Sequence, residues 1–226
     1  VERMNEINGI EFHYPSLEDK EEILSRYRKY RGRSCENTFA NVYLWAKHYE
    51  SRYAVIENAI VFKNEAQGGP SFSFPVGAEE DIRRALEFLR DYCAGQNTRL
   101  RLYCVTKEEF GLLEAWWPGH FTIEYDRDGA DYVYEREKLA TLSGKKLHGK
   151  RNHINRFRQT YENWSYETLS DGNVEDCFQM ALVWRRENGC EDDPEKNAEM
   201  CVTMNALRLY KELELTGGVL KVDGRV

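Results

Sequence analysis

Apolar positions recur along the chain with two periods, and switching between them predicts its elements. Ile10 to Tyr14 reads as a short strand ended by Pro15. Ser16 then caps a helix with Glu18 and Asp19 in its first turn, running to about Tyr30 and stopping at Arg31 and Gly32. A second helix spans Asn37 to Tyr49, with Phe39, Val42, Tyr43 and Ala46 on one face. Tyr53 to Ile56 and Ile60 to Lys63 are strands separated by Glu57-Asn58-Ala59, a hairpin pattern. Beyond Gly68-Gly69-Pro70, Ser71 to Val76 alternates as a third strand. Ile82, Ala85, Leu86, Leu89 and Cys93 mark the most amphipathic helix of the chain. Leu100 to Val105 follows as a strand, Lys107 to Trp117 as a helix and Phe121 to Tyr125 as a strand.

The turn Asp126-Arg127-Asp128-Gly129-Ala130 divides this first part, residues 1–130, from a second, 131–226. Asp131 to Tyr134 starts a strand, and Lys138 to Leu142 leads into a basic helix. Trp164 to Thr168 is a strand, and Val174 to Glu187 a helix with Val174, Phe178, Ala181 and Leu182 on one face. After a loop over 188–194, the helix Ala198 to Leu213 carries Val202, Ala206, Leu209 and Leu213 in register. Gly217-Gly218 opens a strand to Val222, and Asp223-Gly224 is a two-residue hairpin turn. Arg225-Val226 begin a return arm, so the second unit is expected to continue past Val226 or to have its sheet completed by another chain.

The order in residues 1–130 is strand, two helices, three antiparallel strands, helix, strand, helix, strand. It resembles the GNAT acyltransferase fold, and the second part repeats its opening. The resemblance implies an α+β chain of two tandem acyl-CoA N-acyltransferase-like units. In that fold the turn before the main helix cradles a pyrophosphate on backbone N–H groups. Here that turn reads Pro75-Val76-Gly77-Ala78-Glu79-Glu80-Asp81, with one glycine and three consecutive acids that repel a pyrophosphate. The first unit is therefore expected to be a frame without a cofactor loop.

Charge singles out one stretch. Gly144 to Tyr161 holds six cations (Lys145, Lys146, Lys150, Arg151, Arg156, Arg158), two histidines and no acid, while the whole chain carries −7 and the remainder therefore −13. At helical spacing Leu147, Ile154, Phe157 and Tyr161 form a stripe expected to pack on the core. His148, Asn152, Asn155 and Arg156 fall on another face. Asparagines are poor helix formers, so two of them beside concentrated cations read as an anion site rather than a solvated face. Candidate phosphate ligands are Lys145, Lys146, His148, Lys150, Arg151, Asn152, Asn155 and Arg156.

The composite Asp131-Tyr132-x-Tyr134, Leu139-x-x-Leu142, Gly144-Lys145-Lys146-x-His148-x-Lys150-Arg151-Asn152-x-Ile154-Asn155-x-Phe157 resembles a family of bacterial proteins related to the C-terminal catalytic region of phosphatidylglycerol lysyltransferases. The resemblance reaches upstream to Thr38-Phe39 and Trp45 and downstream to the end. It implies two GNAT-like units in tandem and transfer of an acyl or aminoacyl group. The donor would be coenzyme A thioester or aminoacyl-tRNA; membrane-bound relatives pass an amino acid from aminoacyl-tRNA to a lipid headgroup. In GNAT-like proteins the loop between the first two helices lines the acceptor pocket, which points to Trp184 and Glu199 beside the loop of the second unit. No catalytic residue carries over.

Other features read as structure. Trp116-Trp117 sit beside Leu112 and Leu113 and belong to a core; Cys190 has no neighbouring cation to activate it; Glu191-Asp192-Asp193 is a solvated loop. The six cysteines are scattered singly with no Cys-x-x-Cys, so a metal site is not expected and the thiols read as reduced and cytoplasmic. No run reaches the length of a membrane span. Three functions remain open: a GNAT-like transferase holding tRNA or coenzyme A on the basic helix, a non-catalytic phosphate- or RNA-binding module, and a protein that rests on anionic lipid.

Overall fold

The computed structural model describes residues 6–7, 9–30, 32, 34–66 and 69–226. Arg31 and Gly68, both part of predicted breaks, lie outside the described residues. The chain divides into two compact units, Val1–Ala130 and Asp131–Val226, in a mixed α+β arrangement.

The first unit is built around the hairpin of β3 (Arg52–Ile56) and β4 (Ala59–Ala66). Glu57 and Asn58 both take positive φ, 49° and 67°, which is the two-residue turn that matches strand twist. The sheet order is β3-β4-β5-β6, with β5 (Gly69–Ser73) antiparallel to β4 and β6 (Leu102–Tyr103) parallel to β5. Strand β4 is buried on both faces from Ala59 to Lys63, which is why it reads as a continuous apolar run rather than an alternation. A short pair, β1 (Glu6–Ile7) and β2 (Ile10–Glu11), precedes the helices.

Helix α3 (Glu79–Gly95) is the crossover between β5 and β6. Its Ala85, Leu89 and Cys93 pack with Ala54, Ile56, Val61 and Phe72 of the sheet. Ile82 and Leu86 turn toward Phe74 and Leu113 of α4 (Lys107–Trp116), where Trp116 and Trp117 also pack. Residues Ile23 and Tyr27 of α1 (Lys20–Tyr30) and Phe39 and Val42 of α2 (Phe39–Trp45) are the buried positions of those helices. Capping confirms the predicted starts: Ser16 and Asp19 form a reciprocal box before α1, and Thr106 and Glu109 another before α4. Helix α2 is shorter than the predicted span because it starts after its Thr38 cap, and the chain turns to reach Glu50 at φ 51°.

The second unit opens with α5 (Arg136–Thr141) and α6 (His148–Thr160). Strands β7 (Trp164–Thr168) and β8 (Gly218–Val222) pair antiparallel, Trp164 facing Val222 and Tyr166 facing Leu220. The Asp223-Gly224 turn forms as expected, with φ 51° and 76°, and returns Arg225 to Val222. Between the strands lie α7 (Val174–Glu187) and α8 (Pro194–Arg208), joined through Ala181, Cys190 and Met200. Cys190 is thus a packed core thiol. Buried Asn173 ties the end of β7 to the start of α7: its amide donates to the Thr168 carbonyl at 3.0 Å, and its oxygen accepts from Ser170 N–H at 2.8 Å.

Three expectations are corrected. Phe121–Tyr125 and Asp131–Tyr134 alternate like strands, yet neither enters a ladder among the described residues, and Ile123, Tyr132 and Val133 are exposed. Alternation supplies a face but not a neighbouring edge to bond with. Helix α8 begins at Pro194, four residues early, because Asp193 caps it and proline suits the first helical position. The stripe on α6 is not core packing: Ile154 is 41% and Tyr161 44% exposed, and its ring contacts are those of Phe157 with Tyr161 and Trp164.

These burials predict a contrast measurable by urea denaturation. Leu89→Ala, which empties a fully buried position, should destabilise by about 2–5 kcal/mol. Ile154→Ala should change stability by no more than about 0.5 kcal/mol.

Candidate anion-binding segment

Helix α5 ends at Leu142, whose φ of 50° is left-handed, followed by Gly144 at φ 89°. A non-glycine residue in that region costs roughly 1–2 kcal/mol unless something holds it. Arg151, one turn into α6, supplies the hold: its Nη1 donates to the Leu142 carbonyl and to the Gly144 carbonyl, the latter at 2.9 Å. The Leu142 carbonyl closes the C-terminal end of α5, where partial negative charge favours a cation. Leu142 itself is buried, so the turn is anchored by a side chain and by a guanidinium.

Beyond Gly144, Lys145–Leu147 make a single tight turn into α6, whose first turn has neither an acid nor a side-chain cap. Lys145 and Lys146 line a groove of about 450 Å³ together with Val133, Tyr134, Leu139 and Leu147. Two further charged groups on this wall, Glu135 and Lys138, pair with each other at 2.8 Å. The groove is therefore shallow, lined by apolar side chains that are themselves largely exposed and by two lysines free of ion pairs among the described residues.

The predicted ligands do not share one surface. His148 and Asn152 meet at 3.3 Å between ring and amide, and Asn155 follows on the same side of α6. At about 3.6 residues per turn, Lys150 lies with Ile154 and Phe157, roughly opposite that row. Arg156 and Arg158 flank the row on its two sides. Lys150, Arg156 and Arg158 are exposed, and none of the six cations forms an ion pair with a described residue. Of the set, the structure brings together Lys145 with Lys146 on the groove and His148 with Asn152 on the helix, and it places Arg151 on backbone carbonyls.

The other candidates stand apart from this groove. Trp184 on α7 and Glu199 on α8 are both exposed, and neither lines the groove. The acidic loop beside them has a structural use: Asp193 accepts from the N–H groups of Glu195 and Lys196 at 3.1 and 3.2 Å, and Glu191 lies 3.9 Å from Arg185. Tyr134, Lys138 and Leu139 were not among the predicted ligands. The signal for two of them was in plain view, since Tyr134 and Leu139 belong to the same motif as Gly144-Lys145-Lys146.

A family model described as phosphatidylglycerol lysyltransferase, C-terminal, matches residues 27–226. The chain belongs to the phosphatidylglycerol lysyltransferase C-terminal family. Among solved structures, a conserved protein of unknown function from Bacteroides thetaiotaomicron superposes with a TM-score of 0.84 at 33% identity, over 96% of this chain and 73% of that one. An uncharacterized protein of Mycoplasmoides gallisepticum is 29% identical over 94 residues, 41% of this chain and 30% of the relative. The match thus spans under a third of that curated relative. No helix among the described residues of this family member is long and apolar enough to cross a membrane.

The Asp193 cap gives a pH signature. Hydrogen bonding from the Lys196 backbone N–H holds its carboxyl below the usual carboxylate range. A depressed folded-state pKa stabilises the fold above the ordinary value of about 3.9 and loses that contribution as pH falls through the folded value. Thermal melts of the wild type should therefore lose stability below about pH 4 relative to Asp193→Asn, which caps without ionising.

Proposed function

We propose that this chain forms part of a GNAT-like acyl- or aminoacyl-transferase, related to phosphatidylglycerol lysyltransferase, that holds its donor by phosphate groups on segment 145–158. The observation that carries the reading is an acid-free run of six cations, none in an ion pair with a described residue, on a chain of net −7. Family membership supports the transferase class. The crossover of α3 between parallel β5 and β6 supports a GNAT-like first unit.

The first unit supplies frame rather than donor site. Its α3 starts with Glu79, Glu80 and Asp81, and a Cβ on Gly77 would stand 3.0 Å from the Ala59 Cβ, so that glycine serves close backbone packing. The donor then falls to the second unit, as aminoacyl-tRNA or a coenzyme A thioester. Transfer requires an amine or hydroxyl aimed at an ester or thioester carbonyl, and a phosphate clamp contributes orientation to that step. Trp184 and Glu199 remain the acceptor-side residues.

The acidic start of α3 favours a second reading, a non-catalytic tRNA- or phosphate-binding module. Transfer of a labelled amino acid from aminoacyl-tRNA to a lipid or amine acceptor, by protein containing this chain, separates the two.

Binding is tested by titrating fluorescent tRNA, with unlabelled coenzyme A as competitor, at low salt. Lys145→Ala/Lys146→Ala should weaken tRNA binding at least about tenfold and flatten the log affinity against log salt slope by roughly 1.5–2. Superimposable titrations would show that no phosphate sits there. Co-sedimentation with phosphatidylglycerol vesicles that the same double variant abolishes, without tRNA binding, would move the site to a lipid surface.

A further inference from the structure

Among the predicted phosphate ligands, Arg151 is set apart by what it touches. Its neighbours in the segment point to solvent or line the groove, whereas its guanidinium is half-buried and bonded to the Leu142 and Gly144 carbonyls. Those two carbonyls belong to the only stretch between α5 and α6 with positive φ, and the very next residues are the groove lysines.

We infer that Arg151 is a positioning residue: it does not meet the ligand but locks the Leu142–Gly144 turn so that Lys145 and Lys146 face the groove. This deepens the anion-site reading and rests on it for its functional meaning, although the lock itself can be observed without ligand. Without the guanidinium, the Leu142 carbonyl at the end of α5 loses its cationic partner, and a left-handed leucine has less to hold it. The turn then samples other conformations, and the two lysines no longer share one wall. Gly144 permits its own backbone angle, so the constraint falls on Leu142 and on the arginine that bonds it.

Lysine at position 151 separates positioning from contact. A lysine is a competent phosphate ligand, but its shorter stem and point charge do not reproduce the arginine fork. Arg156→Lys, the same change at an exposed arginine, is the control. In the ligand-free protein, tryptic cleavage after Lys145 and Lys146, followed by mass spectrometry, should accelerate about tenfold in Arg151→Lys, as loss of a charge-assisted hydrogen bond allows. It should stay at the wild-type rate in Arg156→Lys. The affinity of Arg151→Lys for fluorescent tRNA should fall by about tenfold although the charge is retained.

The inference is overturned if Arg151→Lys cleaves and binds like the wild type while Arg151→Gln loses about one unit of salt slope, because Arg151 then contacts phosphate directly. If Lys145→Ala/Lys146→Ala binds tRNA normally, the anion-site reading fails by itself. The ligand-free cleavage rates still decide whether Arg151 locks the turn.

Discussion

Arg151 lies where two backbone carbonyls would otherwise be left facing an open turn. Leu142 ends α5 in a left-handed conformation, and Gly144 follows with a second positive φ. Two such residues so close together make a tight change of direction, held by the buried Leu142 side chain but by little from α5 itself, which has only six residues and no side-chain cap at its start. One guanidinium bonding both carbonyls links the end of α5 to the first turn of α6. A short helix is marginal on its own, so the orientation of Lys145 and Lys146, the next two residues of the chain, depends on that link.

That arrangement changes how the segment's charge is read. Six cations in a row of eighteen residues look like a single strip, but a helix spreads them over its circumference. Once Lys150 falls beside Ile154 and Phe157, and Arg151 is committed to carbonyls, the remaining positive side chains form two smaller groups. One is the lysine pair on the groove, beside the partly exposed apolar side chains of Val133, Tyr134, Leu139 and Leu147. The other is the polar row of His148, Asn152 and Asn155, flanked by Arg156 and Arg158.

Much of the first unit was legible, and the reason is local. The turn at Glu57-Asn58, the Ser16 cap with Asp19 in the first turn, and the α3 stripe each depend on residues within a few positions of one another. Ile82, Ala85, Leu86, Leu89 and Cys93 all proved buried. The expectations that failed depended on distant partners. Phe121–Tyr125 and Asp131–Tyr134 have strand-like alternation but join no ladder among the described residues, and in the α6 stripe Ile154 and Tyr161 stay exposed. At the candidate site, residue type and spacing flagged the cations but could not separate a ligand from a clamp. Arginine suits phosphate and carbonyl oxygens alike. The distinction lay in the positive φ of Leu142, a leucine at which no sequence rule expects one.

The starts of α3 and α6 differ in the charge that the chain places beside them. Helices α3 and α6 both begin without a side-chain cap, so both present backbone N–H groups carrying partial positive charge. At α3 the first turn holds Glu79, Glu80 and Asp81, which answer that charge from within the chain and repel an incoming phosphate. At α6 the first turn holds no acid, and Lys145 and Lys146 precede it, adding positive charge to an end already positive. Lysines stacked before a helix N-terminus oppose the macrodipole, an unfavourable arrangement for the isolated fold. A bound anion reverses the sign of that interaction, since it is attracted by the lysines and by the helix end together. The same backbone feature is therefore answered by three acids in the first unit and, in the second, by no acid of its first turn.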